Sequence, residues 1–288
     1  MPALRKRVFT RRGRRLKHLP QRLQRPFRTL HRKALRLTSS FVSIVTPAYR
    51  AAAVIGETIQ SVLAQTHGDW ELLIAEDCGP DHTREVVREW EARDPRVRLI
   101  EMEANGGPAA ARNAALAQAR GRWIAFIDSD DLWLPEKLER QLEFHRRHPG
   151  AKISFTGFRR ISADGGRVGH YISVPPRLDY RRLLGNTAIA TSTVIVDREA
   201  SGEFRMKKTY YDDFACWLAL LKPGGEALGL DEDLMRYRVL DKSVSRDKGN
   251  SARQVWRAYR EVEGLGRAAS AWYFAQYGLR AWLKYRRF

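Results

Sequence analysis

Between Phe41 and Arg147 the chain alternates short apolar runs with segments of helical period, and that alternation restricts the fold more than any other feature. Residues 42–46 read as a strand, after which Ile55, Ile59, Val62 and Leu63 recur at helical spacing. Residues 70–75 read as a second strand, 83–92 as a helix and 97–100 as a short strand. Pro108 opens an alanine-rich helix to about Ala119, and Pro135 opens another to Arg147. The apolar runs are continuous rather than alternating, as expected of strands covered on both sides. Repeated strand–helix units of this length predict an α/β fold: a mostly parallel central sheet with helices on both faces. Ligands of such sheets bind beyond the carboxyl ends of the strands.

The acids gather at those ends. Glu76 and Asp77 follow the second strand, and the run from Trp123 to Ile127 delivers Asp128, Asp130 and Asp131. Along an extended chain Asp128 and Asp130 would converge on one point, with Ser129 facing away. Two carboxylates so close repel each other unless a cation sits between them. A hard ion, Mg2+ or Mn2+, suits such oxygens and takes phosphate as a further ligand. The simpler reading is a polar loop that caps the next helix, which needs one Asp rather than three.

The second half is more mixed. Strands are expected at 152–159 and 167–174 around the turn Asp164-Gly165-Gly166, and again at 190–196. Phe214, Trp217, Leu218 and Leu221 then repeat with helical spacing behind Asp212 and Asp213. That acid pair would complement a helix dipole, or would present a carboxylate base whose pKa is raised by apolar neighbours.

Charge separates the ends from the body. Residues 1–40 hold fourteen of the 52 Lys and Arg and no acid, which leaves +5 of the +19 net charge for the rest. Leu16, Leu19, Leu23, Phe27, Leu30 and Leu37 recur there at helical intervals, so a helix would carry an apolar stripe beside a basic face. An anionic membrane surface fits this tail, with nucleic acid or a solvated tail as the other readings. At the far end Trp256, Tyr259, Trp272, Tyr273, Phe274, Tyr277, Trp282 and Tyr285 alternate with Arg and Lys. Such aromatics suit a membrane boundary, or a helix packed on the domain or on a second subunit. Apolar runs are too short to span a bilayer, and the basic N-terminus lacks the apolar core of a signal peptide. Cys78 and Cys216 stand far apart, as in a reduced cytosolic protein. His145 and His148 read as solvated surface rather than as metal ligands.

The order of motifs resembles the family 2 inverting glycosyltransferases of the GT-A fold. The likeness is carried by 42–49 (VSIVTPAY), Gln65-Thr66, the acid pair at 76–77, Asn105-Gly106-Gly107-Pro108 through Ala111-Arg112-Asn113, Asp128-Ser129-Asp130, and Asp212-Asp213 with Trp217-Leu218. It covers about 41–245. Arg50, Cys78-Gly79 and Asp212 stand where the family usually has Asn, Gly-Ser and Glu. The resemblance implies a catalytic domain at 41–248 with donor half 41–131 and acceptor half 132–248, and the charge and aromatic patterns set a basic tail at 1–40 before it and a C-terminal helical segment at 249–288 after it.

It further implies a nucleotide-sugar donor, a UDP-sugar for preference, and a lipid-linked or saccharide acceptor. Pro47, Ala48 and Tyr49 would line the nucleoside pocket, Glu76 or Asp77 would meet the base, and Arg112 would face the nucleotide. Asp128, with Ser129 beside it, would contact the ribose, and Asp130 would bind Mn2+ or Mg2+. Asp213 would be the catalytic base, with Asp212 next to it. The expected place is peripheral on the cytoplasmic face of the plasma membrane, held through residues 1–40, and by one reading through 256–288. No specific nucleic acid is expected. The competing readings are a nucleotidyltransferase, which lacks its Gly-rich basic signature here, and a non-catalytic nucleic-acid binder acting through the tail. A glycosidase would need two carboxylates flanking a sugar and no metal-type pair.

Overall fold

The computed structural model describes residues 40–186, 188–240 and 248–285. The tail expected to bind a membrane at 1–40 therefore lies, but for Ser40, outside the described residues.

A single mixed sheet organises the chain. Its strands are β1 (Val42–Ala48), β2 (Trp70–Glu76), β3 (Val97–Glu101), β4 (Trp123–Phe126), β5 (Leu132–Trp133), β6 (Ile153–Ile161), β7 (Val168–Ile172), β8 (Arg177–Leu178), β9 (Ile195–Asp197) and β10 (Ala227–Arg238). They run in the order β3-β2-β1-β4-β9-β6-β10-β5, with β7 on β6 and β8 on β10. The expected parallel pairing holds for β3-β2-β1-β4. Beyond β4 it gives way: β9 is antiparallel to both β4 and β6, whereas β10 is parallel to β6.

The helices are α1 (Ile55–Leu63), α2 (Thr83–Arg93), α3 (Pro108–Gln118), α4 (Lys137–Arg147), α5 (Tyr180–Leu184), α6 (Arg198–Ser201), α7 (Asp212–Leu221), α8 (Lys248–Arg257) and α9 (Arg267–Tyr285), with a π-helical turn at Ala258–Val262. Alternate strand residues feed two cores. Val42, Ile44, Leu72, Ile74 and Ala125 pack beneath α1, α2 and α4, while Val45, Leu73, Ile124 and Phe126 pack beneath α3 and α7. Burial on both sides explains the continuous apolar runs.

Two local expectations change. The 190–196 strand is a 3-10 turn (Thr191–Thr193) leading into the short β9. Strand β10 has no apolar run to announce it, because Asp231 and Asp233 interrupt the pattern. Asp231 accepts hydrogen bonds from Tyr171 Oη, Ser173 Oγ and the Val174 amide, and Asp233 pairs with Arg159. Satisfied in this way, the acids cost little within a strand.

His145 is a correction. Its side chain is buried against Trp123, with ring centroids 4.7 Å apart. The apolar side of α4, set by Leu138 and Leu142, extends to it. Only His148 is exposed, as expected of both.

Candidate active site

Register aligns the strand ends. Ala48 pairs with Glu76, and Val45 with Phe126, so the segments after β1, β2 and β4 leave the sheet along one edge. The loop before α3 joins them there.

The first network belongs to the β1 and β2 ends. Ala48 is buried, Pro47 is partly covered and Tyr49 is exposed at the edge. Arg50 lies over the Tyr49 ring at 5.3 Å and adopts φ +52°, a left-handed conformation that costs less for the Asn usual in the family. Glu76 and Asp77 are both buried and already occupied. Glu76 Oε1 accepts the Gly79 amide at 2.6 Å, and Oε2 accepts Arg84 Nη2 at 2.6 Å. Asp77 takes the amides of Gly106 and Gly107 on its two oxygens, at 2.7 and 2.8 Å. Gly107 has φ +81°, and a Cβ on Gly106 would stand 2.6 Å from that of Ala110, so both positions need glycine. Asp77 thus sets the glycine loop that opens α3.

The second network carries the acids of β4 and α7. The chain does not stay extended after Phe126: the Asp131 amide donates to the Asp128 carbonyl at 3.1 Å, which closes a turn over the four residues. The alternation expected for Asp128, Ser129 and Asp130 therefore does not apply. Arg112, from α3, is buried and bridges two carboxylates, with Nη2 at 2.6 Å from Asp128 Oδ1 and Nη1 at 2.7 Å from Asp212 Oδ2. Burial works against the charge on Arg112, but Asp128, Asp212 and Asp213 more than offset it and raise its pKa. Burial likewise raises Asp212, and Arg112 holds it back. Asp212 is a buried ion-pair partner, whereas Asp213 is half-exposed and accepts a hydrogen bond from Thr191 Oγ1 at 2.6 Å.

Asp130 occupies the turn half-buried. Burial first, then the charge of Asp128, push it up to about 6. Arg238 offsets this only in part, since its Nε bonds the Asp130 carbonyl, at 2.9 Å. Ser129 contributes its own carbonyl to Thr58 Oγ1. Among the described residues no cluster of three or more His, Cys, Asp or Glu side chains has metal-binding geometry. A carboxyl destabilised by burial and by a neighbouring carboxylate is nonetheless a fit donor for one divalent cation, whose shell diphosphate oxygens and water would complete.

The sequence reading did not single out Ser192 and Arg238, which hold this turn, nor Glu57 and Thr191, which support the site around it. Ser192 Oγ accepts the Asp128 amide at 2.9 Å and donates to Asp131 Oδ2 at 2.5 Å. Asp131 Oδ1 accepts the Arg238 amide at 3.0 Å, and Arg238 Nη2 pairs with Glu57 at 2.6 Å. Thr191 holds Asp213. Ser and Thr in a short 3-10 turn carry no sequence signal of their own, and Arg238 lies at the end of the strand that the pattern hid.

The sequence model of glycosyl transferase family 2 matches residues 43–205. The chain belongs to that family. It is 42% identical over 241 residues to the putative teichuronic acid biosynthesis glycosyltransferase TuaG of Bacillus subtilis, covering 83% of this chain and 95% of that protein. It is 36% identical over 217 residues to the Escherichia coli UDP-Glc:alpha-D-GlcNAc-diphosphoundecaprenol beta-1,3-glucosyltransferase WfgD, covering 75% and 83%. Among solved structures, S. aureus TarS 1-349 in complex with UDP superposes with a TM-score of 0.62 at 20% identity, covering 85% of this chain and 72% of that one. The mannosyltransferase PcManGT from Pyrobaculum calidifontis, in complex with GDP-Man and Mn2+, gives 0.62 at 16% identity, over 90% and 82%. The fold is GT-A-like and the protein is a glycosyltransferase. The family assignment ends the readings as a nucleotidyltransferase and as a non-catalytic nucleic-acid binder.

Proposed function

We propose that this glycosyltransferase is metal-dependent and inverting, and that it moves a sugar from a UDP-sugar to a hydroxyl of a lipid-linked or polysaccharide acceptor at the cytoplasmic face of the membrane. The observation that carries this reading is Asp213, half-exposed in the first turn of α7, beside a buried Arg112 that pairs with both Asp212 and Asp128. One carboxylate is left with an accessible face while its neighbour is spent on structure. The names of TuaG and WfgD support the acceptor class, and the UDP held by TarS supports the donor.

In this reading Pro47, Ala48 and Tyr49 line the nucleoside pocket. Asp77 meets the base by way of the loop it already orders, and Asp128 meets the ribose. Asp130 holds the Mn2+ or Mg2+, which when bound neutralises diphosphate charge as a Lewis acid. Asp213 takes the proton of the acceptor hydroxyl as that oxygen attacks the anomeric carbon. The bond from that carbon to the diphosphate oxygen breaks with its electron pair on the diphosphate. Attack on the face opposite the leaving group inverts the centre. Thr191 holds the base against rotation.

The test is a screen of nucleotide-sugar hydrolysis with the purified chain, with Mn2+, with Mg2+ and with chelator. Metal-dependent turnover of one UDP-sugar is expected. Turnover indifferent to chelator, or confined to sugars on another nucleotide, would overturn the corresponding part of the reading.

A further inference from the structure

Helix α9 has two faces of different character. Its inner side packs on the catalytic domain: Tyr273, Phe274 and Tyr277 lie against the core beneath α7, and Phe274 meets Trp256 edge-on at 5.8 Å. Arg280 Nη1 donates to the Gly185 carbonyl at 2.9 Å, and the Tyr259 hydroxyl to the Leu184 carbonyl. The segment is further anchored by Glu263, buried between Lys222 at 2.8 Å and the Tyr180 hydroxyl at 2.7 Å. The outer side carries Trp272, Leu279 and Trp282, which are 66%, 60% and 62% exposed. Ala268 and Ala275, also exposed, fall on the same stripe at helical spacing. Trp272 and Leu279 turned to solvent on an anchored helix mark an interaction surface.

Charge identifies the occupant. After Glu263 the sequence has no acid, while Arg267, Arg280, Lys284, Arg286 and Arg287 follow. Two copies of so cationic a helix would repel one another. No described helix is long and apolar enough to cross a membrane. Apolar residues with Trp on one side, cations flanking and no acids are the composition of a helix that lies in the plane of an anionic interface. We infer that the outer face of α9 docks on an anionic lipid bilayer, Trp272 and Leu279 entering the headgroup boundary.

The docked helix would also place the site. Gly185, which α9 grips through Arg280, lies a few residues before Thr191 and Ser192, which hold Asp213 and the Asp128–Asp131 turn. A bilayer under α9 thus lies next to the segment that positions the base, where a lipid-linked acceptor must arrive. This last step rests on the proposed acceptor class. The docking itself does not.

Flotation of the full chain on vesicles of phosphatidylcholine alone and of phosphatidylcholine with phosphatidylglycerol, at low and high salt, tests the docking. The wild type should float on the anionic vesicles, with a fraction that survives high salt because it is apolar. Trp272→Ser with Leu279→Ser should reduce that fraction about tenfold or more, since each removes part of an apolar side chain's burial. Ala275→Glu, at an exposed small residue, should do the same without disturbing the fold, with unchanged melting and unchanged donor hydrolysis as controls. Salt-resistant flotation that is equal in wild type and both variants would overturn the inference. So would a wild-type dimer in sedimentation velocity that the variants lose, which would give the face to a second copy. Loss of donor hydrolysis in every form would count against the transferase reading and leave the docking result standing.

Discussion

Arg112 Nη1 stands 2.7 Å from Asp212 Oδ2, and this contact joins the helix after the glycine loop to the helix that carries Asp213. The same guanidinium reaches Asp128 at 2.6 Å, so one planar cation ties three segments distant in sequence. Its Nε is buried with no hydrogen-bond partner among the described residues. Replacing Arg112 by Met should lower stability by about 3–5 kcal/mol, because two carboxylates lose their cation in a buried setting. Arg112→Lys should recover only part of this, since an ammonium lacks the two-pronged reach. Urea unfolding of both variants measures it, and equal stability of Met, Lys and Arg forms would contradict the bridge.

Asp213→Asn keeps the shape and removes the proton acceptor. Donor affinity should survive while turnover falls by ~10²–10⁴. Asp212→Asn should instead cost stability, since it weakens the contact to Arg112, and should spare more of kcat. Steady-state kinetics alongside thermal melting separate the two. If Asp212→Asn slows turnover more than Asp213→Asn, the roles are reversed.

Asp130→Ala should abolish the metal dependence of UDP binding while leaving the fold intact, because the removed carboxyl is destabilised where it sits, its pKa pushed up to about 6. Calorimetric titration with UDP, with and without Mn2+, reads this directly. Metal-dependent affinity that persists in the variant assigns the ion elsewhere.

His145 predicts a pH dependence of stability. Burial holds its imidazole down to about 4. In the unfolded chain it titrates near ~6.5. The unfolded state therefore binds the extra proton first as pH falls. The contribution is fully present above about 6.5 and is lost progressively toward about 4, on the order of 3 kcal/mol in all. His145→Phe, which keeps a ring against Trp123, should flatten this part of the profile in urea unfolding at pH 7 and pH 5. An unchanged slope would show that the histidine is not the titrating group.

Much of the strand-end architecture was legible from residues alone. Apolar runs of strand length and helical periods announce β1 to β4 and the helices between them, because burial on both sides leaves little freedom in residue type. The acids after those strands mark the edge where the candidate site gathers, since carboxylates ending apolar strands must be balanced by something. What each acid does was not legible. Asp128, Asp130 and Asp131 are neighbours of identical chemistry, yet one pairs with Arg112, one is left half-buried in the turn and one is held by Ser192 and Arg238. Asp212 and Asp213 divide in the same way between a buried ion pair and a half-exposed carboxylate. Spacing along the chain cannot separate such pairs, because their partners come from α3, from the 3-10 turn and from the end of β10. Only the packing of those elements brings a guanidinium or a hydroxyl within hydrogen-bond reach, and the partner decides whether a buried carboxylate is structural or available. The two faces of α9 follow the same logic. Its sequence is aromatic and basic nearly all round, and the docking of Tyr273, Phe274 and Tyr277 on the domain leaves Trp272, Leu279 and Trp282 facing out.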